Sequence, residues 1–180
     1  MFPLQLSPAM DDEGFRLSEG TAIATYLCKK HNLTQWSPVD LQTEARVNEY
    51  LSAHHSTTRK MTHKAFHPMM VSLLGKKEWT PELHASVKEE SHKIALKFSD
   101  VFLKSDAFIA GSSPTVADLF AYAEVAQIPQ VLGSDFAFTA AEFDRLNAWL
   151  AAMSALPYHD DVHRTVGKVG EMFQQKVLKK

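Results

Sequence analysis

Beyond residue 40, apolar residues recur at every third or fourth position, which is the period of amphipathic helices. The pattern predicts helices within residues 47–65, 87–102, 119–128, 143–153 and 162–177. The first of these is expected to be one long helix. Proline lacks the N–H group that a helix interior needs, so Pro68, Pro129 and Pro157 are expected to end or kink the runs before them. We therefore expect a mainly α fold with its core between helices.

The first 35 residues follow a different pattern. Residues 4–10 are extended in character, residues 11–14 form an acidic turn, and residues 15–17 alternate between apolar and polar. Together they predict a β-hairpin. Ser18 is then expected to cap a helix that runs to Asn32.

Composition and charge exclude several classes of protein. The chain is 45% hydrophobic and 22% charged, which is typical of a globular protein and not of a disordered one. A net charge of −2 gives no general attraction to nucleic acid, and no apolar run reaches the roughly 18–20 residues that span a bilayer. The single cysteine, Cys28, favours a reducing compartment, so we expect a cytoplasmic protein, with an organellar location as the alternative.

A sharp helix-start signal lies at residues 115–118, with the sequence Thr-Val-Ala-Asp. A threonine at the cap and an acid three residues later can satisfy two helix-start donors reciprocally. The signal follows Phe108-Ile109-Ala110-Gly111 and precedes an apolar run, so it predicts the start of a buried helix.

Taken in order, these segments resemble the glutathione transferases, and most closely the theta class. Residues 2–10 are similar to the family segment that ends in Val-Pro-Ala-Leu, and residues 15–27 to its Leu-x-Glu-Ser-x-Ala-Ile-x-x-Tyr-Leu helix. Residues 45–59 are similar to the theta-like opening of the helical domain, and residues 108–119 to its folding motif. Each motif is weak alone, but their order and spacing are specific.

The resemblance implies two parts. Residues 1–35 correspond to the β-β-α half of a thioredoxin-like glutathione-binding domain, and residues 36–180 to the all-helical C-terminal domain. The β-α-β half that precedes the proline in the family is expected upstream of Met1. The serine that activates the glutathione thiol lies in that half, so no catalytic residue is identifiable in this chain.

The resemblance also implies the glutathione contacts. Ser7 would pair its backbone with the cysteinyl part of glutathione, and Pro8 would follow a cis peptide bond; an ordinary turn proline is the alternative. Glu19 would face the γ-glutamyl end. Gly20 stands where the family has serine, so its N–H group remains and the hydroxyl is lost, while Leu6 replaces a frequent Lys or Gln.

The expected electrophile cleft contains His55, Ser56 and Arg59. Theta enzymes place an arginine facing the sulfur and the electrophile, and Arg59 resembles it; a solvated or ion-paired surface arginine is the alternative. His55, Arg59, His63 and His67 would share one helix face. A polar face explains this stripe better than a metal site, because no carboxylate or cysteine lies at ligand spacing. Cys28 is expected to be a packed residue.

We therefore expect part of a theta-like glutathione transferase, which adds glutathione to electrophiles or reduces peroxides. The alternative is a non-catalytic transferase-like module used for binding or assembly. The expected ligands are glutathione and a small electrophile, with no metal. The expected partner is a second copy of the chain, or a larger protein that covers the exposed strand edge.

Overall fold

The computed structural model describes residues 7–178, and its fold is mainly α. A two-stranded antiparallel sheet leads into helices that pack around one core. Leu6, one of the predicted glutathione contacts, lies outside the described residues. The elements are β1 (Ala9–Asp12), β2 (Phe15–Ser18), α1 (Gly20–Lys30), α2 (Leu41–Ala53), α3 (Arg59–Met61), α4 (His67–Leu73), α5 (Pro81–Phe102), α6 (Val116–Val125), α7 (Gln127–Leu132), α8 (Asp144–Ser154) and α9 (His159–Phe173).

The predicted hairpin is confirmed, with a tighter turn than expected. Asp12 pairs with Phe15, so only Glu13 and Gly14 form the loop. Their φ angles are 52° and 93°, and a two-residue hairpin loop of the favoured type needs positive φ at both positions. Asp11, which was expected in the turn, is a strand residue, and its carboxylate accepts a hydrogen bond from the Gly14 N–H at 2.9 Å.

The start of α1 differs from the prediction. Ser18 is the last residue of β2 and does not cap the helix; its hydroxyl oxygen is buried without a hydrogen-bond partner in the described chain. Glu19 holds the cap position with φ 77°, and its side chain makes no capping bond. The predicted end is confirmed, because the chain leaves the helix after Lys30 and Asn32 has a φ of 53°.

The prediction of one long helix over residues 47–65 is wrong, because α2 ends at Ala53 and α3 begins at Arg59. Between them, Thr58 Oγ1 lies 2.6 Å from the hydroxyl of Tyr50 and 3.3 Å from Nδ1 of His54. All three side chains are buried. A buried polar group without a hydrogen-bond partner lowers the stability of the fold. Here the three groups bond to one another where the helix is interrupted, so the cluster stabilises the break.

Pro68 does not end the helical path, but the helix changes its winding just before it. The chain passes from a π turn over Thr62–Phe66 into α4, and the N–H group of His67 donates to the carbonyl of Thr62, five residues back. This wider turn accommodates a proline that has no N–H group of its own. Pro129 lies inside α7, but the preceding helix, α6, ends at Val125, four residues before it. A proline ring clashes with the carbonyl four residues back, so the interruption agrees with the predicted end or kink.

The predicted capping box is confirmed and is the most buried polar cluster of the core. Asp118 is fully buried at the start of α6. Its carboxylate accepts bonds from the Ile109 N–H at 3.0 Å, the Thr115 N–H at 2.8 Å and the Trp149 Nε1–H at 3.0 Å. These bonds tie the 108–111 segment and α8 to the start of α6, which is buried along most of its length.

Candidate functional site

The segment before β1 meets the start of α1 on the surface of α6. The Ser7–Pro8 peptide bond is cis, as the resemblance implied. A Cβ atom placed on Gly20 would lie 3.4 Å from Cγ of Pro8 and 3.4 Å from Cε1 of Phe120, so the three residues are in contact. Ser7 and Glu19, their neighbours in sequence, are exposed. The structure therefore brings together the four described residues that were predicted to contact glutathione.

The start of α1 offers uncapped backbone donors. The first bond of the helix runs from the Ile23 N–H to the Glu19 carbonyl at 2.9 Å, and no side chain caps the amides before it. No acidic residue lies in the first turn. Free amides and the positive end of the helix dipole together favour a bound carboxylate.

A cleft of about 560 Å³ lies between α1 and α2, beside this helix start. Half of its lining residues are Glu19 and three residues of α1, and the other half are three residues of α2 and His55, which follows α2. They are Glu19, Thr21, Ala22, Thr25, Asn48, Leu51, Ser52 and His55. Glu19 and His55 thus share one cleft, although the resemblance assigned them to the glutathione and electrophile parts of the site.

The structure does not bring His55, Ser56 and Arg59 together in one cleft. His55 lines the cleft beside α1, whereas Ser56 lines a separate groove against α5.

Arg59 is ion-paired to a buried carboxylate. Its Nη1 atom lies 2.7 Å from Oε1 of Glu124 on α6. The Thr62 hydroxyl also donates to this carboxylate, and the Gln127 amide donates to it at 3.2 Å. Three donors therefore satisfy Glu124, and Arg59 matches the ion-paired alternative. The Arg59 side chain is still 44% exposed.

His54 links this ion pair to the helix start. Its ring lies edge-on to Phe120 at 5.6 Å, and its Nε2 atom is 3.9 Å from Oε1 of Glu124. Burial lowers the pKa of His54 and outweighs the opposing effect of the Glu124 charge, so the ring is neutral at pH 7. A continuous row of contacts thus runs from Pro8 through Phe120 to Glu124.

The stripe of His55, Arg59, His63 and His67 does not lie on one helix face, because the helix is broken at residues 54–58. Within residues 7–178, no three His, Cys, Asp or Glu side chains come close enough together to hold a metal ion.

The comparisons with known proteins identify the family. The profile described as "Glutathione S-transferase, C-terminal domain" matches residues 60–157, more than half of the chain. The chain belongs to the glutathione S-transferase family. It is 38% identical to glutathione S-transferase theta-3 of Mus musculus over 125 residues, which are 68% of this chain and 52% of that protein. It is 31% identical to theta-2 of Rattus norvegicus over 175 residues, 93% and 70% of the two chains.

Solved structures of the family share the fold. The crystal structure of human glutathione transferase theta-2, a complex with glutathione and an unknown ligand, is 27% identical with a TM-score of 0.74, covering 96% of this chain and 71% of that one. The predicted architecture is therefore confirmed: a hairpin and helix followed by the helical domain of a glutathione S-transferase. The chain spans about half the length of the first theta relatives it matches.

Two further sequence expectations concern Cys28 and membrane-spanning segments. Cys28 is a packed residue, as predicted, and burial raises the pKa of its thiol, so the thiol stays protonated and unreactive. Across residues 7–178, no helix is long and apolar enough to cross a membrane.

Sequence reasoning missed several side chains at the site. Thr21 and Thr25 on α1, and Asn48 and Ser52 on α2, line the cleft. Each pair is spaced by four residues on its helix, a signal that could have placed both pairs on facing polar faces. Glu124 could also have been found, as a lone acid inside the apolar run from 119 to 128.

Proposed function

We propose that this chain is part of a theta-like glutathione transferase whose described residues form much of the glutathione site. The complete protein would add glutathione to electrophiles or reduce peroxides. The observation that carries the proposal is the cis Ser7–Pro8 bond lying beside the uncapped start of α1, next to a cleft large enough for a small peptide. The theta-class relatives support it.

Each part of glutathione has a complementary group here. The Ser7 backbone, freed by the cis bond, would pair with the cysteinyl unit as an added strand does. The amides at the start of α1 would bind the γ-glutamyl carboxylate, and Glu19 would face its ammonium group. His55 stands across the cleft, and its imidazole could donate to a carboxylate or to the sulfur.

Catalysis requires a hydroxyl or other donor that stabilises the glutathione thiolate. We assign this role to none of residues 7–178. The activity proposed is that of the complete protein, with a serine of the β-α-β half of the theta-like fold as the thiolate-stabilising donor.

The organisation we propose divides the chain into a glutathione-binding part over residues 1–35 and a helical domain over residues 36–180. We further propose a cytoplasmic homodimer as the working form. Leu6 stays within the proposed site on the strength of the resemblance alone.

A non-catalytic module, used for binding or assembly, is the second candidate. Gly20 favours it, because the hydroxyl that the family uses on the γ-glutamyl group is absent at the position that contacts Pro8 and Phe120. Turnover would distinguish the two candidates. Glutathione-dependent loss of an alkyl halide or an organic hydroperoxide would exclude the module as the sole role.

Binding is tested by restoring the missing hydroxyl. Gly20→Ser adds a donor at the start of α1, and a hydrogen bond to a charged group contributes about 1.5–3 kcal/mol. We expect the glutathione dissociation constant from calorimetry to fall roughly ten- to a hundredfold. The matched control is Gly20→Ala, which adds the same Cβ atom and no hydroxyl.

One outcome would contradict the proposed γ-glutamyl site at the start of α1. If Gly20→Ser and Gly20→Ala bind glutathione equally, no γ-glutamyl carboxylate lies at the start of α1. The expected pattern also includes weaker binding by Glu19→Gln, because the ammonium group would lose its acidic neighbour.

A further inference from the structure

Two histidines one turn apart stack on each other at the start of α9. The ring centroids of His159 and His163 lie 4.4 Å apart, with an angle of 17° between the planes. The ring of Tyr122, on α6, meets the two histidines edge-on at 5.6 and 5.3 Å. Tyr122 is 6% exposed, and the His159 side chain is 15% exposed. These three side chains form a ring cluster that attaches the start of α9 to the core.

The hydrogen bonds of His159 are compatible with its charged form. Its Nδ1 atom lies 2.9 Å from Oδ1 of Asp160, and because a carboxylate only accepts, Nδ1 carries the hydrogen. In the neutral ring, Nε2 therefore accepts from the Tyr122 hydroxyl at 2.8 Å. A proton added at Nε2 would be donated to the same hydroxyl oxygen, which has lone pairs to accept it. The ring cluster thus has a place for one positive charge.

The surroundings of His163 disfavour a second charge. Its Nδ1 atom lies 3.1 Å from the side-chain oxygen of Gln130 on α7, and no ion pair of the described chain includes His163. Burial lowers the pKa of His163, and a charge on His159 lowers it further, against the opposing effect of the Asp160 carboxylate. The titratable group that faces the pair from α6 is Tyr122, and α7 contributes an uncharged amide. The closed ring cluster therefore holds one proton charge more easily than two.

The far half of α9 is held by contacts that carry no charge. A Cβ atom on Gly170 would lie 2.3 Å from the carbonyl oxygen of Gln130, so the backbones of α9 and α7 touch there. Phe173 is buried, and its ring lies edge-on to Trp79 at 5.0 Å. At the near end, by contrast, Val162 is 72% exposed. The first turn of α9 therefore depends on the ring cluster, and the last turn does not.

We propose that the ring cluster is an acid-sensitive switch, in which a second proton on the stacked histidines releases the start of α9 from α6 and α7. Gly170 and Phe173 hold the rest of the helix in place. Two positive rings 4.4 Å apart repel each other, and separation returns both to water, where the charged form is favoured. The movement uncovers the buried side of α6 that carries Tyr122. The proposal concerns this contact alone, so it stands whether or not the chain binds glutathione.

Proton linkage sets the size of the effect. With the ordinary histidine pKa of about 6.5 in the open form and a neutral His163 in the closed form, the ratio of open to closed form rises about tenfold from pH 7.5 to pH 5.5. Hydrogen exchange measures this ratio, because a helix amide exchanges when the helix opens locally. After correction for the intrinsic exchange rate at each pH, the protection factors of residues 162–166 should fall about tenfold, and those of residues 170–173 should not change. An equal fall in both segments, or none in residues 162–166, would overturn the proposal.

Variants of His163 identify the proton that drives the change. His163→Phe keeps a ring in the stack, His163→Gln keeps a polar side chain, and neither takes up a proton. Both should show the same protection at pH 7.5 and pH 5.5. The matched control is His92→Gln, because burial also lowers the pKa of His92 but its ring packs against Phe138 and Phe143, outside the ring cluster. The control should keep the fall in residues 162–166. If the fall persists in both His163 variants, another group drives the opening and the proposal is wrong.

Discussion

Gly170→Ala is predicted to separate two helices that touch through their backbones. Gly170 lies in α9, where it faces α7 and is buried. A Cβ atom at this position would lie 2.3 Å from the carbonyl oxygen of Gln130 and 3.0 Å from Cα of Val131. Both are backbone atoms, so no side-chain rotation can relieve the contact. One helix must move away from the other by about an ångström.

The cost follows from this geometry. Overpacking in a close-packed interface costs about 1–3 kcal/mol, and the backbone contact places Gly170→Ala at the upper end of that range. The helix propensity of alanine returns about 0.5–1 kcal/mol. The net loss of unfolding free energy should therefore be about 2 kcal/mol. Gly167→Ala is the matched control, because its Cβ atom would meet nothing within 4 Å, and it should gain about 0.5–1 kcal/mol.

Urea unfolding followed by far-UV circular dichroism measures both variants against the wild type at one temperature. The two alanine variants should differ by about 3 kcal/mol in opposite directions around the wild type. Equal stabilities for Gly170→Ala and Gly167→Ala would refute the close approach of α9 and α7, and with it the position of the C-terminal helix.

Two further predictions follow from buried polar groups. Asp118→Ala leaves four buried donors without their acceptor and should lower the unfolding free energy by about 3–5 kcal/mol in urea titrations. Asp144→Ala, in the exposed first turn of α8, should cost at most about 1 kcal/mol. The free energy of unfolding should also fall as the pH drops below about 6.5, the ordinary pKa of histidine. Burial lowers the pKa of three histidines in the folded state, so below that pH the unfolded chain binds protons that the folded chain excludes. The three are His54, His92 and His163. Unfolding titrations at several pH values check this, and a profile flat between pH 7 and 5 would contradict it.

Local signals allowed much of this fold to be predicted from the sequence. The helical period marked α5, α8 and α9, and the Thr115–Asp118 spacing marked the start of α6, because each depends on residues within one helix turn or one helix face. The break after Ala53 could not be predicted in the same way. The period continues through residues 54–58, and a buried cluster joining Tyr50 to Thr58 interrupts the helix despite it.

The same contrast between local signals and tertiary packing applies to the candidate site. In the proposed glutathione half, the closeness of Pro8 to Gly20 was predictable, since both lie in short motifs whose geometry is local. The grouping of His55, Ser56 and Arg59 came from the resemblance to theta enzymes, and the structure places His55 in the cleft beside α1, Ser56 in the groove against α5 and Arg59 against Glu124. Which surface each side chain lines depends on how the helices pack, so only the tertiary structure shows it.

Helix α6 is the element on which both halves of the site depend. Its start is fixed by Asp118, its exposed side carries Phe120 against Gly20, and its last turn carries Glu124 against Arg59. About one turn of one rigid helix, from Phe120 to Glu124, therefore sets the distance between the start of α1 and the Arg59 guanidinium. A substitution that shifts the start of α6 should move Phe120 and Glu124 together, whereas a substitution of Glu124 should release only Arg59. Glutathione binding should accordingly be more sensitive to Asp118 than to Glu124, although Glu124 contacts the Arg59 guanidinium directly.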